Sequence, residues 1–144
     1  MEVKVTKLHP AARVPQYMSS GASGCDVSAC LESALTISVG RRAAVPTGLA
    51  FEIPPGFEIQ VRPRSGLSFK QGLTVINAPG TIDSDYRGEL KVLVVNLGEE
   101  PVTIQPGDRV AQLVLQRVEQ IRWTETTDLG QSTRATGGFG STGV

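Results

Sequence analysis

The densest chemistry in this 144-residue chain lies at Asp83-Ser84-Asp85-Tyr86-Arg87-Gly88-Glu89, where acids, one base and a tyrosine are neighbours. Ile82 and Leu90 flank it with strand-like residues, so the segment reads as a hairpin turn, and Asn77 stands upstream of Pro79-Gly80. Read alone, an acidic turn is first of all a solvated turn. The sharper reading is a carboxylate held at a barrel edge beside basic residues, where it can act as a general base toward water. Spacing names no substrate. A second cluster, Arg62-Pro63-Arg64-Ser65, sets two guanidinium groups before a short helical segment. There Ser65 would N-cap a turn or two through Leu67, Phe69 and Lys70, with Gly72 as the stop. The arrangement suits an anion, although by itself it describes a surface connection. From Gly107 the chain enters a strand whose apolar residues, Val110, Leu113, Val114 and Leu115, imply burial on both faces. Gln112 therefore needs a polar partner, either a backbone group of the barrel or a ligand or subunit.

Other chemistries are poorly served. His9 is the only histidine, it lies in Leu8-His9-Pro10, and no G-x-S-x-G elbow accompanies it, so it reads as a surface residue. The C-terminal glycine loop lacks the lysine and the following helix of a phosphate-binding P-loop. Cys25 and Cys30 are five apart in a stretch read as strand, which points them to opposite faces. Both are expected as free, reduced thiols, fitting a cytoplasmic compartment.

The elements that must hold these residues are strands. The 16 glycines and 9 prolines fall at short intervals, as in Pro46-Thr47-Gly48, Pro54-Pro55-Gly56, Ala78-Pro79-Gly80 and Pro106-Gly107-Asp108. Between them run short alternations: Phe57, Ile59 and Val61 on one face against Glu58, Gln60 and Arg62, then Leu35, Ile37 and Val39, then Val3 and Val5. This rhythm predicts an all-β barrel or sandwich with hardly any helix. The last stretch differs. From Thr126 to Val144 the chain is rich in Gly, Ser and Thr, and Phe139 stands alone among glycines with Arg134 upstream. The expected division is a β-barrel over residues 1–125 and a glycine-rich arm over 126–144 that folds over something.

Composition bounds the partners. Lys plus Arg and Asp plus Glu each number 14, so the formal net charge is zero, which argues against binding nucleic acid or an anionic membrane. The central apolar run, Val92-Leu93-Val94-Val95, is far too short to span a bilayer. Met1 to Lys7 alternates without the apolar core of a signal peptide. These features predict a soluble intracellular protein.

Five segments then fall into one order: Ser23-Gly24-Cys25-Asp26-Val27-Ser28-Ala29; Pro63-Arg64-Ser65-Gly66-Leu67; Gly80-Thr81-Ile82-Asp83-Ser84-Asp85-Tyr86-Arg87-Gly88-Glu89; Gly107-Asp108-Arg109-Val110-Ala111-Gln112-Leu113; and Arg134-Ala135-Thr136-Gly137-Gly138-Phe139-Gly140-Ser141-Thr142-Gly143. Together they closely resemble the ordered motifs of the trimeric dUTPase family, the dUTP pyrophosphatases, over essentially the whole chain. The resemblance implies an all-β fold, a distorted jelly-roll β-barrel of the β-clip kind with one short helix and a flexible C-terminal arm. It implies a homotrimer with active sites between subunits, hydrolysing dUTP to dUMP and pyrophosphate with Mg²⁺ on the triphosphate. By that likeness Asp83 would be the general base. Asn77, Leu90 and Lys91, through an amide and strand backbone, would read uracil, and Tyr86 would pack under the deoxyribose. Arg64, Ser65, Gly66 and Gln112 would hold phosphates, and Asp26 would order the metal's water shell. Phe139 would stack on uracil while Arg134, Ser141 and Thr142 reach the phosphates. Two residues depart from the family pattern: Ala135 stands where glycine is usual, which strains the arm if that position needs φ > 0, and Ser68 replaces a common alanine. The rival readings are a dCTP deaminase relative, a non-catalytic nucleotide-binding regulator on the same scaffold, and a purely structural jelly-roll subunit.

Overall fold

A computed structural model describes residues 1–138. Its strands are β1 (Lys4–Lys7), β2 (Gln16–Tyr17), β3 (Cys25–Ser28), β4 (Leu35–Ile37), β5 (Arg42–Pro46), β6 (Leu49–Glu52), β7 (Phe57–Arg62), β8 (Leu73–Val75), β9 (Gly80–Ile82), β10 (Lys91–Asn96), β11 (Val102–Ile104) and β12 (Arg109–Arg117), with one helix, α1 (Ser65–Gln71), between β7 and β8. The principal sheet runs β2-β3-β12-β7-β9, a second runs β5-β10-β8, and β1-β6 and β11-β4 form two-stranded ribbons. Every pairing is antiparallel. The expected all-β class with a single short helix is the class observed.

The period-two patterns place the core. On β7, Ile59 and Val61 are buried, while Arg62 is exposed. Ile37, Val45, Leu49, Val92 and Val94 come from the other strands into the same apolar cluster, joined by Ile53 just past the end of β6. Each such side chain contributes about 1.5–3 kcal/mol by leaving water. The alternation fails where a strand stops early: β4 ends at Ile37, so Val39 is exposed.

Three local expectations change. Helix α1 begins at Ser65 and is N-capped by Arg64, which makes no side-chain capping bond, so Ser65 is the first helical residue and not the cap. The stop at Gly72 is as expected; φ is +68°, and a Cβ there would run into the Gly98 backbone, so only glycine fits. The segment after β9 is not a hairpin turn. β9 pairs with β7 and β10 pairs with β5 and β8, so residues 83–90 cross from the principal sheet to the second. Their strand-like flanks belong to different sheets, which alternation cannot reveal. Cys30 lies beyond the end of β3, so the face argument does not apply to it, yet both cysteines are free thiols.

The last strand ends at Arg117, and the Val118 N–H donates to the Gly56 carbonyl at 3.0 Å. Residues 119–138 form no strand or helix, and Ile121, Trp123 and Leu129 are exposed. Among the described residues no helix is long and apolar enough to cross a membrane.

Candidate active site

The crossing segment 83–90 forms one wall of a cavity of about 430 Å³ lined by Asn77, Asp83, Tyr86, Glu89, Lys91 and Leu93 among others. Asp83, Asn77, Tyr86, Leu90 and Lys91, expected around the base, the sugar and the attacked phosphorus, all line it. Hydrogen bonds to a buried turn, most of them between main-chain groups, hold this wall. The Thr47 N–H and hydroxyl both donate to the Leu90 carbonyl (3.3 and 2.7 Å), and the Leu90 N–H donates to the Leu49 carbonyl at 2.8 Å. The Gly48 N–H donates to Glu89 Oε1 at 2.9 Å. Thr47 and Leu90 are fully buried, so the first three of these bonds are shielded from water, whereas the Gly48–Glu89 bond is only partly so. Thr47, Gly48 and Glu89 were not legible as site residues, because the partners lie 41 and 43 positions apart.

This arrangement corrects the role expected of Leu90. Its N–H and C=O are both spent on the 47–49 turn, so its backbone cannot read a base. The free edge belongs to Lys91. That residue pairs with Pro46, which has no N–H, and the Pro46 carbonyl accepts from the Cys30 N–H at 2.8 Å. Because bonded and non-bonded pairs alternate in antiparallel ladders, the Lys91 N–H and C=O face away from β5, toward the side where β8 pairs. β8 has already ended at Val75, leaving this stretch of β10 edge open beside Asn77. Gly80 shares that floor: a Cβ there would lie 3.0 Å from Asn77 Nδ2.

Tyr86 is half exposed, its ring lies over Gly88, and its hydroxyl donates to the Glu89 carbonyl at 3.1 Å. A Cβ at position 88 would overlap the phenol, so the glycine creates the ring's place. Asp83 is exposed, its carbonyl accepts the Tyr86 N–H (3.2 Å), and among the described residues its carboxylate makes no ion pair.

The phosphate-binding candidates assemble elsewhere, around Asp26, whose side chain is only 4% exposed. Its Oδ1 accepts from Gln112 Nε2 (3.1 Å), and its Oδ2 faces Arg109 (3.0 Å) and Arg64 Nε (3.3 Å). Gln112 thus finds its partner in a carboxylate, not in the barrel backbone. Arg64 also donates from a terminal nitrogen to the Arg109 carbonyl at 2.7 Å. Ser65 and Gly66 follow at the exposed start of α1, and among the described residues nothing lies within 4 Å of a Cβ built on Gly66.

One chain does not bring the two groups together. Ile82 pairs with Ile59, so Asp83 stands opposite Glu58, whereas Gln112 stands opposite Arg62. Four residues of β7 are about 13 Å, and three inter-strand steps from β9 to β3 are about 14 Å, which puts Asp83 about 20 Å from Asp26. Among the described arm residues, Arg134 Nε donates to the Gly137 carbonyl at 2.7 Å, so its guanidinium caps its own turn. Phe139, Ser141 and Thr142 lie outside the described residues.

A metal has few direct ligands here. Among the described residues no group of three or more His, Cys, Asp or Glu side chains could hold an ion. Asp26 already serves three donors of the roughly four that a carboxylate accepts. It fits an ion's bound water and not the ion itself, the mode suited to Mg²⁺, which keeps much of its hydration shell.

A family model described as dUTPase matches residues 11–143. The chain is 59% identical over 131 residues to a deoxyuridine 5'-triphosphate nucleotidohydrolase of Desulfotalea psychrophila, covering 91% of this chain and 87% of that protein. It is 54% identical over 144 residues to the protein of that name in Bdellovibrio bacteriovorus, covering 99% and 97%. In fold it matches the dUTPase of Staphylococcus bacteriophage 80alpha with dUPNHPP, with a TM-score of 0.86 at 24% identity, covering 99% of each chain. A mutant dUTPase from phage phi11 of S. aureus, described with a structural Mg(II) ion, matches with a TM-score of 0.79 at 22% identity, covering 89% and 98%. With the family model spanning nearly all of its length, the chain belongs to the dUTPase family.

Proposed function

We propose that this chain hydrolyses dUTP to dUMP and pyrophosphate, limiting uracil in DNA and supplying dUMP for thymidylate synthesis. The observation that carries the reading is the cavity that gathers Asp83, Asn77, Tyr86 and the open Lys91 edge. Uracil presents acceptor, donor and acceptor along its pairing edge. The Lys91 N–H and C=O with the Asn77 amide match that order, and cytosine would leave buried polar groups unpaired. The Tyr86 ring, fixed over Gly88, closes the space a ribose 2′-hydroxyl would need.

Asp83 takes a proton from a water aligned with the α-phosphorus. As the new P–O bond forms, the bond from that phosphorus to the α,β-bridging oxygen breaks and pyrophosphate leaves. Arg64, Ser65, Gly66 and Gln112 hold the phosphates and stabilise the charge that develops on the leaving group. Mg²⁺, when bound with the triphosphate, neutralises part of that charge, and Asp26 would hold one of its waters. The separation of about 20 Å supports sites shared between chains, as in a homotrimer: Asp83, Tyr86 and Lys91 from one protomer, and the Asp26 cluster from its partner. The arm, residues 126–144, closes over the nucleotide, with Phe139 stacking on uracil and Arg134, Ser141 and Thr142 reaching the phosphates. The compartment fitting free thiols and this substrate is the cytoplasm.

The test is pyrophosphate release with Mg²⁺ from dUTP, dCTP, dTTP and UTP side by side. Release from dUTP alone is expected. Ammonia from dCTP would turn the reading to a deaminase, and silence on all four with dUTP still bound would turn it to a nucleotide-binding regulator.

A further inference from the structure

The Asp26 cluster contains a guanidinium to which the functional reading gives no task. Arg109 meets Asp26 at 3.0 Å, although it stands three residues before Gln112 on the same strand. On a regular strand an odd separation sends two side chains to opposite faces, so Arg109 and Gln112 should not share a partner. They do because β12 carries a bulge. Arg109 pairs with Ser28, Ala111 pairs with Val27 and Gln112 pairs with Asp26, leaving Val110 as an extra residue. That insertion returns Arg109 to the face of Ser28, Asp26 and Gln112. A diagonal cross-strand span of about 7–8 Å is within reach of an arginine.

The consequence falls on Arg64. Its Nε is held by Asp26 Oδ2, the oxygen that Arg109 also binds, and one terminal nitrogen by the Arg109 backbone carbonyl, so the Arg109 side chain acts on the plane of Arg64 through Asp26 alone. Among the described residues nothing accepts from its remaining N–H groups, which can face an anion. Two guanidiniums on one buried carboxylate also leave one unit of positive charge in excess at this rim.

We propose that Arg109 is a positioning residue for the triphosphate. Through Asp26, and by virtue of the bulge at Val110, it fixes the plane in which Arg64 presents its free N–H groups to the phosphates. This rests on the reading of Arg64 as a phosphate ligand. A bulge beside a site is a recurrent way to re-aim a side chain, and here it turns an i, i+3 pair into two ligands of one carboxylate.

The experiment compares Arg109→Gln, Arg109→Lys and Arg64→Gln for KM and kcat with dUTP and for binding of dUMP. The expected result for Arg109→Gln is a rise in KM for dUTP of about tenfold, the size of one lost charge-assisted hydrogen bond, with kcat changed less and dUMP binding within about twofold of the parent. Arg109→Lys, which restores the charge on Asp26 without the planar fork, should recover part of the KM loss. Arg109→Gln with an unchanged KM while Arg64→Gln is impaired would overturn this inference alone, and an unimpaired Arg64→Gln would overturn the phosphate reading beneath it. Equal loss of dUTP and dUMP binding would assign Arg109 to the fold only, overturning the proposal. If the glutamine variant does not fold, inhibition by inorganic pyrophosphate decides on Arg109→Lys: weakening by about threefold is expected, and unchanged inhibition overturns the proposal.

Discussion

The two halves of the site are built by opposite means. Around Asp83 main-chain groups do most of the holding: each of four hydrogen bonds from Thr47, Gly48 and Leu90 has at least one main-chain partner, with side chains entering only as the Thr47 hydroxyl and the Glu89 carboxylate, and Asp83 and Tyr86 remain exposed. Around Asp26 side chains do the holding, and a nearly buried carboxylate is spent on Arg64, Arg109 and Gln112 before any ligand arrives. A base that must accept a proton needs a lone pair free and water nearby. A cradle for a polyanion needs its cations fixed, so that little ordering remains when the ligand binds. Backbone anchoring frees a side chain for chemistry, whereas a charge network commits it to a shape.

The strongest way to break this contrast is Asp83→Asn. If the carboxylate acts as a base and not as a strut, turnover should fall by about 10²–10⁴-fold while folding and nucleotide binding persist. Rapid-quench turnover beside equilibrium dUTP binding separates the two, and undiminished turnover would remove Asp83 from the chemistry. The same variant tests the division between chains. Mixed with an Arg64→Gln chain and reassembled, it should regain part of the activity, because some sites then take Asp83 and Arg64 from intact copies. Absence of any recovery would place both halves in one protomer.

Asp26→Ala addresses the network half. It should lower stability by about 1–3 kcal/mol, because it leaves the Gln112 amide and two guanidiniums without their partner, and raise KM for dUTP. Urea unfolding gives the first quantity and steady-state kinetics the second. A variant with full stability and altered KM would show that the cluster is not preassembled by Asp26.

These contrasts mark what could be read from the sequence. Alternation over β7 and the spacing of Gly-Pro turns reveal strands, since both report on neighbouring residues. Sheet membership is invisible to them, which is why residues 83–90 read as a hairpin although they cross between sheets. The proposed roles of Asp83, Asn77, Tyr86, Arg64 and Gln112 came from five motifs that stand in family order, not from spacing. Arg109 stood inside one of those motifs without a role, because its face depends on a bulge that no pattern of residue types encodes. Thr47 and Glu89 carry no local signal, since their partners are brought to them only by the closed barrel.

Gly66 separates what the chain needs from what its ligand needs. Nothing among the described residues comes within 4 Å of a Cβ there, and alanine is the better helix former. Gly66→Ala should therefore raise stability by about 0.5–1 kcal/mol and, if the proposed phosphate contact uses this space, lower turnover. Thermal denaturation and turnover measured on one preparation would show it. A variant with unchanged turnover would mean that no ligand approaches this backbone.

The smallest effect is expected in the arm. Ala135 has φ = +44°, in the left-handed region where an L side chain is disfavoured, so the position does require what glycine provides. The turn forms nonetheless: its N–H donates to the Ser132 carbonyl and hydroxyl at 3.1 and 3.0 Å, and the Gly137 N–H donates to the Arg134 carbonyl at 2.9 Å. Alanine therefore costs about 1 kcal/mol in each state that contains this turn. If closure over the nucleotide uses the turn, Ala135→Gly should lower KM by a few-fold and leave the denaturation midpoint of the barrel unmoved, since residues 119–138 add no strand to it. Glycine also enlarges the freedom of the open arm, which works against closure, so the sign of the change is itself informative. A fall in KM shows that relief of strain outweighs the added freedom. A rise shows that alanine limits the open ensemble more than it strains the closed one, and the arm would then be tuned by its freedom when empty.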